Sequence, residues 1–137
     1  MKQVADNLAL QIPEVSGTKL RMIPPGKKNN FQKLALPGME ETRFIAYNDI
    51  MYCQSVNNYT TITTRQGKAF TCCKTLKDVE SRLPGDLFIR IHASYLVNMQ
   101  DITALKKRRN WEIEINNELL LPVSRLKKEE LQIALGC

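Results

Sequence analysis

From residue 31 onward, apolar positions fall in short runs cut by turn residues. Trp111, Ile113 and Ile115 alternate with Glu112 and Glu114, the period-two pattern of a half-buried strand. Asn116-Asn117 follows, and asparagine tolerates positive φ, so a tight hairpin back into a strand over 118–123 is expected. Similar short runs predict strands over 31–36, 43–47, 51–56, 59–64, 68–72, 88–91, 94–98 and 102–106. Pro37-Gly38, Asn57-Asn58 and Arg65-Gln66-Gly67 separate several of them. Phe88, Tyr95, Val97, Trp111, Ile113 and Leu121 are the expected core. Strands this short and regularly spaced imply a mainly β fold, a sandwich or barrel-like sheet assembly.

Two stretches carry helical periodicity instead. Over 76–83, Leu76, Val79 and Leu83 share one face, Thr75 is a suitable N-cap, and Pro84-Gly85 ends the run. Over 125–135, Leu131, Ala134 and Leu135 form the apolar stripe, with Ser124 as N-cap and Gly136 beyond the end. Arg125, Lys127 and Lys128 then crowd the first turn, where cations oppose the helix dipole. A local penalty of that kind often marks function.

Residues 1–39 have a different texture. Pro13, Gly17, Pro24, Pro25 and Gly26 punctuate them, and a tail or linker is expected, with a short helical turn at 4–10 and a first strand over 31–36. The domain proper is expected over 40–137. The chain has 137 residues, 43% of them hydrophobic, enough for one domain with a real core. No apolar run is long enough to span a bilayer, and polar residues interrupt the N-terminal apolar stretch. The expected location is the cytoplasm, with no membrane partner.

The net charge is +6, and its distribution matters more. Residues 1–39 hold six Lys/Arg against two acids; residues 40–137 hold fourteen against twelve. Within the latter the cations cluster at Lys106-Lys107-Arg108-Arg109 and at Arg125, Lys127 and Lys128. Clusters are what a phosphate backbone meets, because salt screens each charge within about 8–10 Å. The four cysteines form no C-x-x-C pair and the single histidine, His92, has no metal-ligating neighbour, so neither metal nor cofactor is expected. Cys53 and Cys72 sit in apolar strands and read as small hydrophobes. No catalytic constellation is present, and an enzyme is not expected.

The stretch 88–98, Phe-Ile-Arg-Ile-His-Ala-Ser-Tyr-Leu-Val-Asn, resembles the signature of the LytTR DNA-binding domain family. The run from Asp49 to Ser55 resembles the family's opening strand, Thr75 to Leu83 its short helix, and Leu121-Pro122-Val123-Ser124-Arg125 its closing motif before the last helix. Together these cover residues 40–135 in the family's own order.

The resemblance implies a mainly β fold of short antiparallel strands in several small sheets, with one short internal helix and a C-terminal helix, and bacterial, sequence-specific duplex DNA binding for transcriptional regulation. Inter-strand loops and the start of the last helix would enter successive major grooves. It marks His92, Ala93, Asn58, Tyr59 and Arg125 as base contacts. Arg125 suits guanine, to which a guanidinium donates two parallel bonds; pairing with Glu129 is the structural alternative. His92 serves a base or phosphate, or else binds the Ser94 backbone. Many relatives carry a basic or polar residue at the Ala93 position, and alanine offers only an apolar contact, such as to a thymine methyl. Asn57 and Asn58 are equally good turn residues. Phosphate contacts are expected from Lys106, Lys107, Arg108, Arg109, Lys127, Lys128 and Asn57. Arg90 is either another or a strand-surface residue.

The expected partner is double-stranded DNA at tandem repeats, bound by two copies of a protein that is monomeric in solution, with the transcription machinery as a further partner. Residues 1–39 are too few for the receiver domain many family members carry. With Met1 first, the chain reads as a stand-alone regulator; as a fragment it would lack an upstream part. The rival reading is a protein-interaction β module that binds no nucleic acid.

Overall fold

The structure, a computed structural model, describes residues 32–137. The expected helical turn at 4–10 lies outside the described residues, as does Phe31. The described chain runs β1 (Lys33–Pro37), β2 (Thr42–Ala46), β3 (Ile50–Val56), β4 (Tyr59–Thr64), β5 (Ala69–Cys72), α1 (Leu76–Ser81), β6 (Phe88–His92), β7 (Tyr95–Asn98), β8 (Ile102–Lys107), β9 (Trp111–Ile115), β10 (Leu119–Pro122) and α2 (Lys128–Leu135). It is mainly β, as the alternation predicts.

All strand pairs are antiparallel and fall into three sheets: β1-β2, β10-β9-β8, and a five-stranded sheet in the order β5-β4-β3-β7-β6. The five-stranded sheet is buried on both faces. Cys53, Ile62, Leu96 and Phe88 pack on one side with Leu76 and Val79 of α1 and with Leu34, Leu36 and Ile45 of the small sheet. Ile89, Ile91 and Val97 pack on the other with Ile113, Ile115 and Leu121 of the three-stranded sheet and Leu131 of α2. Adjacent residues such as Leu96 and Val97 thus serve opposite cores, as a pleated strand requires. Burial, and secondarily the nearby Cys72, push the Cys53 thiol up, so it behaves as a small hydrophobe.

Local turn chemistry follows the sequence closely. Asn116 and Asn117 adopt φ of 51° and 63° between β9 and β10, and Asn57 adopts 56° between β3 and β4. Thr75 Oγ1 accepts from the Asp78 amide at 3.1 Å, capping α1. Asn98, fully buried, donates from Nδ2 to the Ile50 carbonyl at 2.9 Å and accepts from the Gln100 amide. The last residue of the 88–98 run is therefore a structural bolt between β7 and β3.

Two expectations need correction. The last helix does not start at Arg125. Residues Arg125–Lys127 form a 3₁₀ turn, and α2 begins at Lys128. Ser124 Oγ accepts from the Leu126 amide at 3.2 Å and its carbonyl accepts from Lys127 at 3.0 Å, which winds the turn tightly. Arg125 and Lys127 thus stand ahead of the helix, and Glu129 and Glu130 occupy its first turn, where the dipole favours them. The second correction concerns the stripe: Leu131 is buried, but Ala134 is exposed. Trp111 and Tyr95 pack against the same core as Leu131, as expected, each with part of its surface exposed.

Candidate nucleic-acid interface

The five-stranded sheet brings two turns to one end. Gln54 of β3 faces Tyr95 of β7, and the Ser55 amide donates to the Ser94 carbonyl at 2.9 Å. The Asn57-Asn58 turn therefore lies beside the Ala93-Ser94 turn. Asn57, Asn58 and Ala93 are exposed, and Tyr59 is 48% exposed.

The β6–β7 ladder carries a bulge there. Arg90 faces Leu96 and His92 faces Tyr95, so Ile91 is the extra residue. Its carbonyl, freed from the ladder, accepts from the Ser124 amide at 2.7 Å. That bond docks the approach to the last helix onto β6 and sets Arg125 near His92.

Arg90 fastens the same turn. It donates from Nε to the His92 carbonyl at 2.9 Å, from Nη2 to the Ala93 carbonyl at 2.8 Å and from Nη1 to Glu80 of α1 at 2.7 Å. Its side chain is only 19% exposed. Of the residues expected to meet phosphate, Arg90 is the one whose donors are largely used inside the protein. It holds the turn in place.

His92 Nδ1 accepts from the Ser94 amide at 3.1 Å. The backbone bond named as its structural alternative thus forms, and it leaves the ring's function open. With Nδ1 as acceptor, the neutral imidazole carries its hydrogen on Nε2, a donor available to a ligand. The Tyr95 ring lies 5.8 Å away, centre to centre.

His92, Trp111, Ser124, Arg125, Arg109 and Lys128 line a common cleft of about 570 Å³, with Glu112 on its wall. Three separate parts of the chain meet there: the β6–β7 turn, the β8–β9 hairpin, and the 3₁₀ turn running into α2. Arg125 is exposed and makes no hydrogen bond or ion pair within the described residues; Glu129 does not engage it. Lys107 and Lys128 stand over the Trp111 ring, at 5.6 and 4.8 Å from its centre. Arg108 and Arg109 are exposed at the hairpin tip. Lys106 pairs with Glu114 at 3.4 Å and Lys127 with Glu130 at 3.4 Å. Pairs this open contribute little and yield easily to a stronger anion.

Sequence reasoning missed two members of this face. Trp111 packs against the core as its alternation predicts, and its ring also collects two cations, which the alternation does not report. Leu126, 90% exposed within the 3₁₀ turn, went unremarked. Its place between Arg125 and Lys127 was the signal available.

Among the described residues, no three potential metal ligands come together, and no helix is long and apolar enough to cross a membrane.

Comparison with known proteins agrees with this geometry. The chain is 32% identical to the CO-responsive transcriptional regulator RcoM of Rhodospirillum rubrum over 69% of its own length and 38% of the relative's. It is 28% identical to the sensory transduction protein LytT of Bacillus cereus, over 87% and 46% of the two lengths. Against the transcriptional regulatory protein BtsR of Escherichia coli K12 the values are 26%, 82% and 46%. The chain thus spans less than half the length of these relatives. In fold it matches a LytTr DNA-binding domain from Bacillus cereus with a TM-score of 0.67 at 23% identity, over 77% of this chain and 98% of that one. The family description that matches residues 40–136 is the LytTr DNA-binding domain, and it takes in the bulged turn, the Ser124 junction and the cleft between them: this chain belongs to the LytTR DNA-binding domain family.

Proposed function

We propose that this chain binds duplex DNA sequence-specifically and thereby regulates transcription. The observation that carries the reading is the meeting of His92 with Arg125, which has no ion-pair partner among the described residues, in one cation-rimmed cleft. The Asn57-Asn58 turn lies toward the same end of the sheet as the β6–β7 turn, to which the bond from Ser55 to Ser94 ties its strand. Loops and the start of the last helix then enter successive major grooves, with no recognition helix lying along the groove.

Roles follow from chemistry and position. Arg125 donates two parallel bonds to guanine O6 and N7. His92 donates from Nε2 to a base acceptor or a phosphate oxygen. Asn58, Tyr59 and Ala93 meet neighbouring bases, a reading supported by their exposure at the same end of the sheet. Lys107, Arg108, Arg109 and Lys128 hold phosphates, with Lys106, Lys127 and Asn57 at the margins. These contacts fix register without reading sequence. Arg90 acts through the turn it clamps.

The relatives named as transcriptional regulators support this reading. The test is a salt titration of binding to a duplex chosen from a random pool. Affinity should fall steeply, with a logarithmic slope of about −0.9 for each phosphate neutralised. Binding that ignores salt, or that prefers no duplex, would point to a protein-interaction module instead.

A further inference from the structure

Leu126 is 90% exposed, while its chain neighbours Val123 and Leu131 are buried at 8% and 0%. It is not a loose side chain on a loose loop. Its amide is held by Ser124 Oγ, the next amide by the Ser124 carbonyl, and Ser124 itself by the bulged Ile91. The turn is fixed to the sheet, and Leu126 is held away from the core.

Leu126 and Ala93 line one shallow groove of about 310 Å³, together with His92, Ser124, Lys127 and the Arg90–Glu80 ion pair, in which the carboxylate is neutralised. Ala93 is fixed as well, through the bond from Arg90 to its carbonyl. Two apolar side chains on rigid backbone thus face one groove. Arg125 on one side of Leu126 makes no internal contact within the described residues, and Lys127 on the other is only loosely paired.

We propose that Leu126, with Ala93 in the same groove, reads the 5-methyl group of a thymine in the major groove of DNA. The proposal rests on the duplex-binding reading above and deepens it. Cations flanking the leucine draw it onto a phosphate-lined ligand. Among the four bases, only thymine presents a methyl group on the major-groove edge. A protein partner fits less well, because one leucine and one alanine make a patch far smaller than the several hundred Å² typical of docking sites. Rigid placement matters, since a methyl contact discriminates only when the apolar surface cannot move away. Part of the base recognition is therefore hydrophobic, beside the polar readout by Arg125 and His92.

The experiment uses the whole chain and the best duplex from a random selection. Each thymine in turn is replaced by deoxyuridine, which removes only the methyl group. At one position the wild type should lose affinity about threefold to fivefold, the worth of one buried methyl. Leu126→Ala should bind the thymine duplex more weakly and show no difference between thymine and uracil there. Leu126→Met should retain the difference. Comparing the variants on both duplexes cancels any change in the DNA itself. The side chain is exposed, so folding should be unaffected, which circular dichroism checks. The inference is overturned if the wild type prefers the selected duplex over a scrambled one yet ignores every uracil substitution. It is also overturned if Leu126→Ala keeps the full penalty. If the wild type prefers no duplex at all, the duplex-binding reading itself fails, a distinct result.

Discussion

The Lys128 ammonium stands 4.8 Å from the centre of the Trp111 ring, which joins the first turn of α2 to the start of β9. Lys107, at the end of β8, uses the same ring. One aromatic ring thereby holds two cations from distant parts of the chain, near Arg109 and Arg125 in the same cleft. Each such contact is worth about 0.5–1 kcal/mol at an exposed site. Trp111→Leu should keep the apolar packing and lose the cation alignment. Affinity should fall by a similar factor for cognate and scrambled duplexes. Trp111 is the only tryptophan in the chain, so its fluorescence should also change as duplex is added to the wild type. A shift in sequence preference would show that the ring touches bases.

Lys107→Ala combined with Arg108→Ala should weaken binding to all duplexes alike. Neither side chain has an acidic partner among the described residues, and both lie at the β8–β9 hairpin tip. Each lost phosphate contact should reduce the magnitude of the salt slope by about 0.9. A changed sequence preference with the slope intact would mean these residues read bases.

Arg125→Ala should reduce the preference for cognate over scrambled duplex by roughly tenfold to a hundredfold and leave the fold unchanged. The side chain is exposed and carries no internal bond within the described residues, so nothing in the protein depends on it. Loss of one bidentate base contact costs about 1–3 kcal/mol. Competition between the two duplexes reads the effect, and thermal melting checks the fold.

What the sequence made legible was chemistry that closes within a few residues. The alternation at Trp111–Ile115, the asparagines that adopt positive φ and the Thr75 cap each depend on near neighbours. What it hid depended on partners far along the chain. The bulge at Ile91 makes sense only once Ser124, thirty-three positions on, needs its carbonyl. The role of Arg90 depends on Glu80 and on two carbonyls of a turn whose shape was not yet known. Period two puts Trp111 on the core-facing side, where it packs, but is silent on the lysines from β8 and α2 that meet its ring. The start of the last helix was misplaced because a serine cap suits an α-helix and a 3₁₀ turn equally.

Arg65 and Asp101 should matter for stability and little for DNA preference. Arg65 donates from Nε and Nη2 to the two Asp101 oxygens at 2.7 and 3.0 Å, and its Nη1 reaches the Asn48 carbonyl. The pair ties the end of β4 to the turn between β7 and β8. Asp101's side chain is 4% exposed and Arg65's 33%. Arg65→Ala strands a buried carboxylate, at a cost of about 2–3 kcal/mol, less than for a fully buried pair because water reaches the arginine side. Arg65→Lys should recover part of that, since an ammonium cannot make the paired contact. Urea denaturation measures both, and a change below about 0.5 kcal/mol for Arg65→Ala would show that the pair is idle.

The free protein should be a monomer that binds DNA as two copies on tandem half-sites. Among the described residues, α2 is eight residues long and turns Leu131 into its own core, so it offers no heptad seam for a partner helix. Among the described residues the large exposed apolar side chains form no helical stripe: Val56 and Tyr59 are a cross-strand pair at the β3–β4 turn, and Met39, Phe44, Leu120, Leu126 and Ile133 come from other segments. A single module of this kind covers only about 600–1,000 Å² on DNA, too little for tight specific binding, and a second copy on a direct repeat supplies the rest. Repeats spaced by whole helical turns, about 10–10.5 base pairs, place both copies on one face of the duplex. Sedimentation of the free protein and of complexes with one and two half-sites distinguishes the arrangements. Adding five base pairs between the half-sites should rotate one copy to the opposite face and remove any cooperativity while leaving single-site affinity unchanged. A stable dimer without DNA, lost when residues 1–31 are deleted, would overturn the monomer and give the apolar positions of segment 4–10 the work of holding it together.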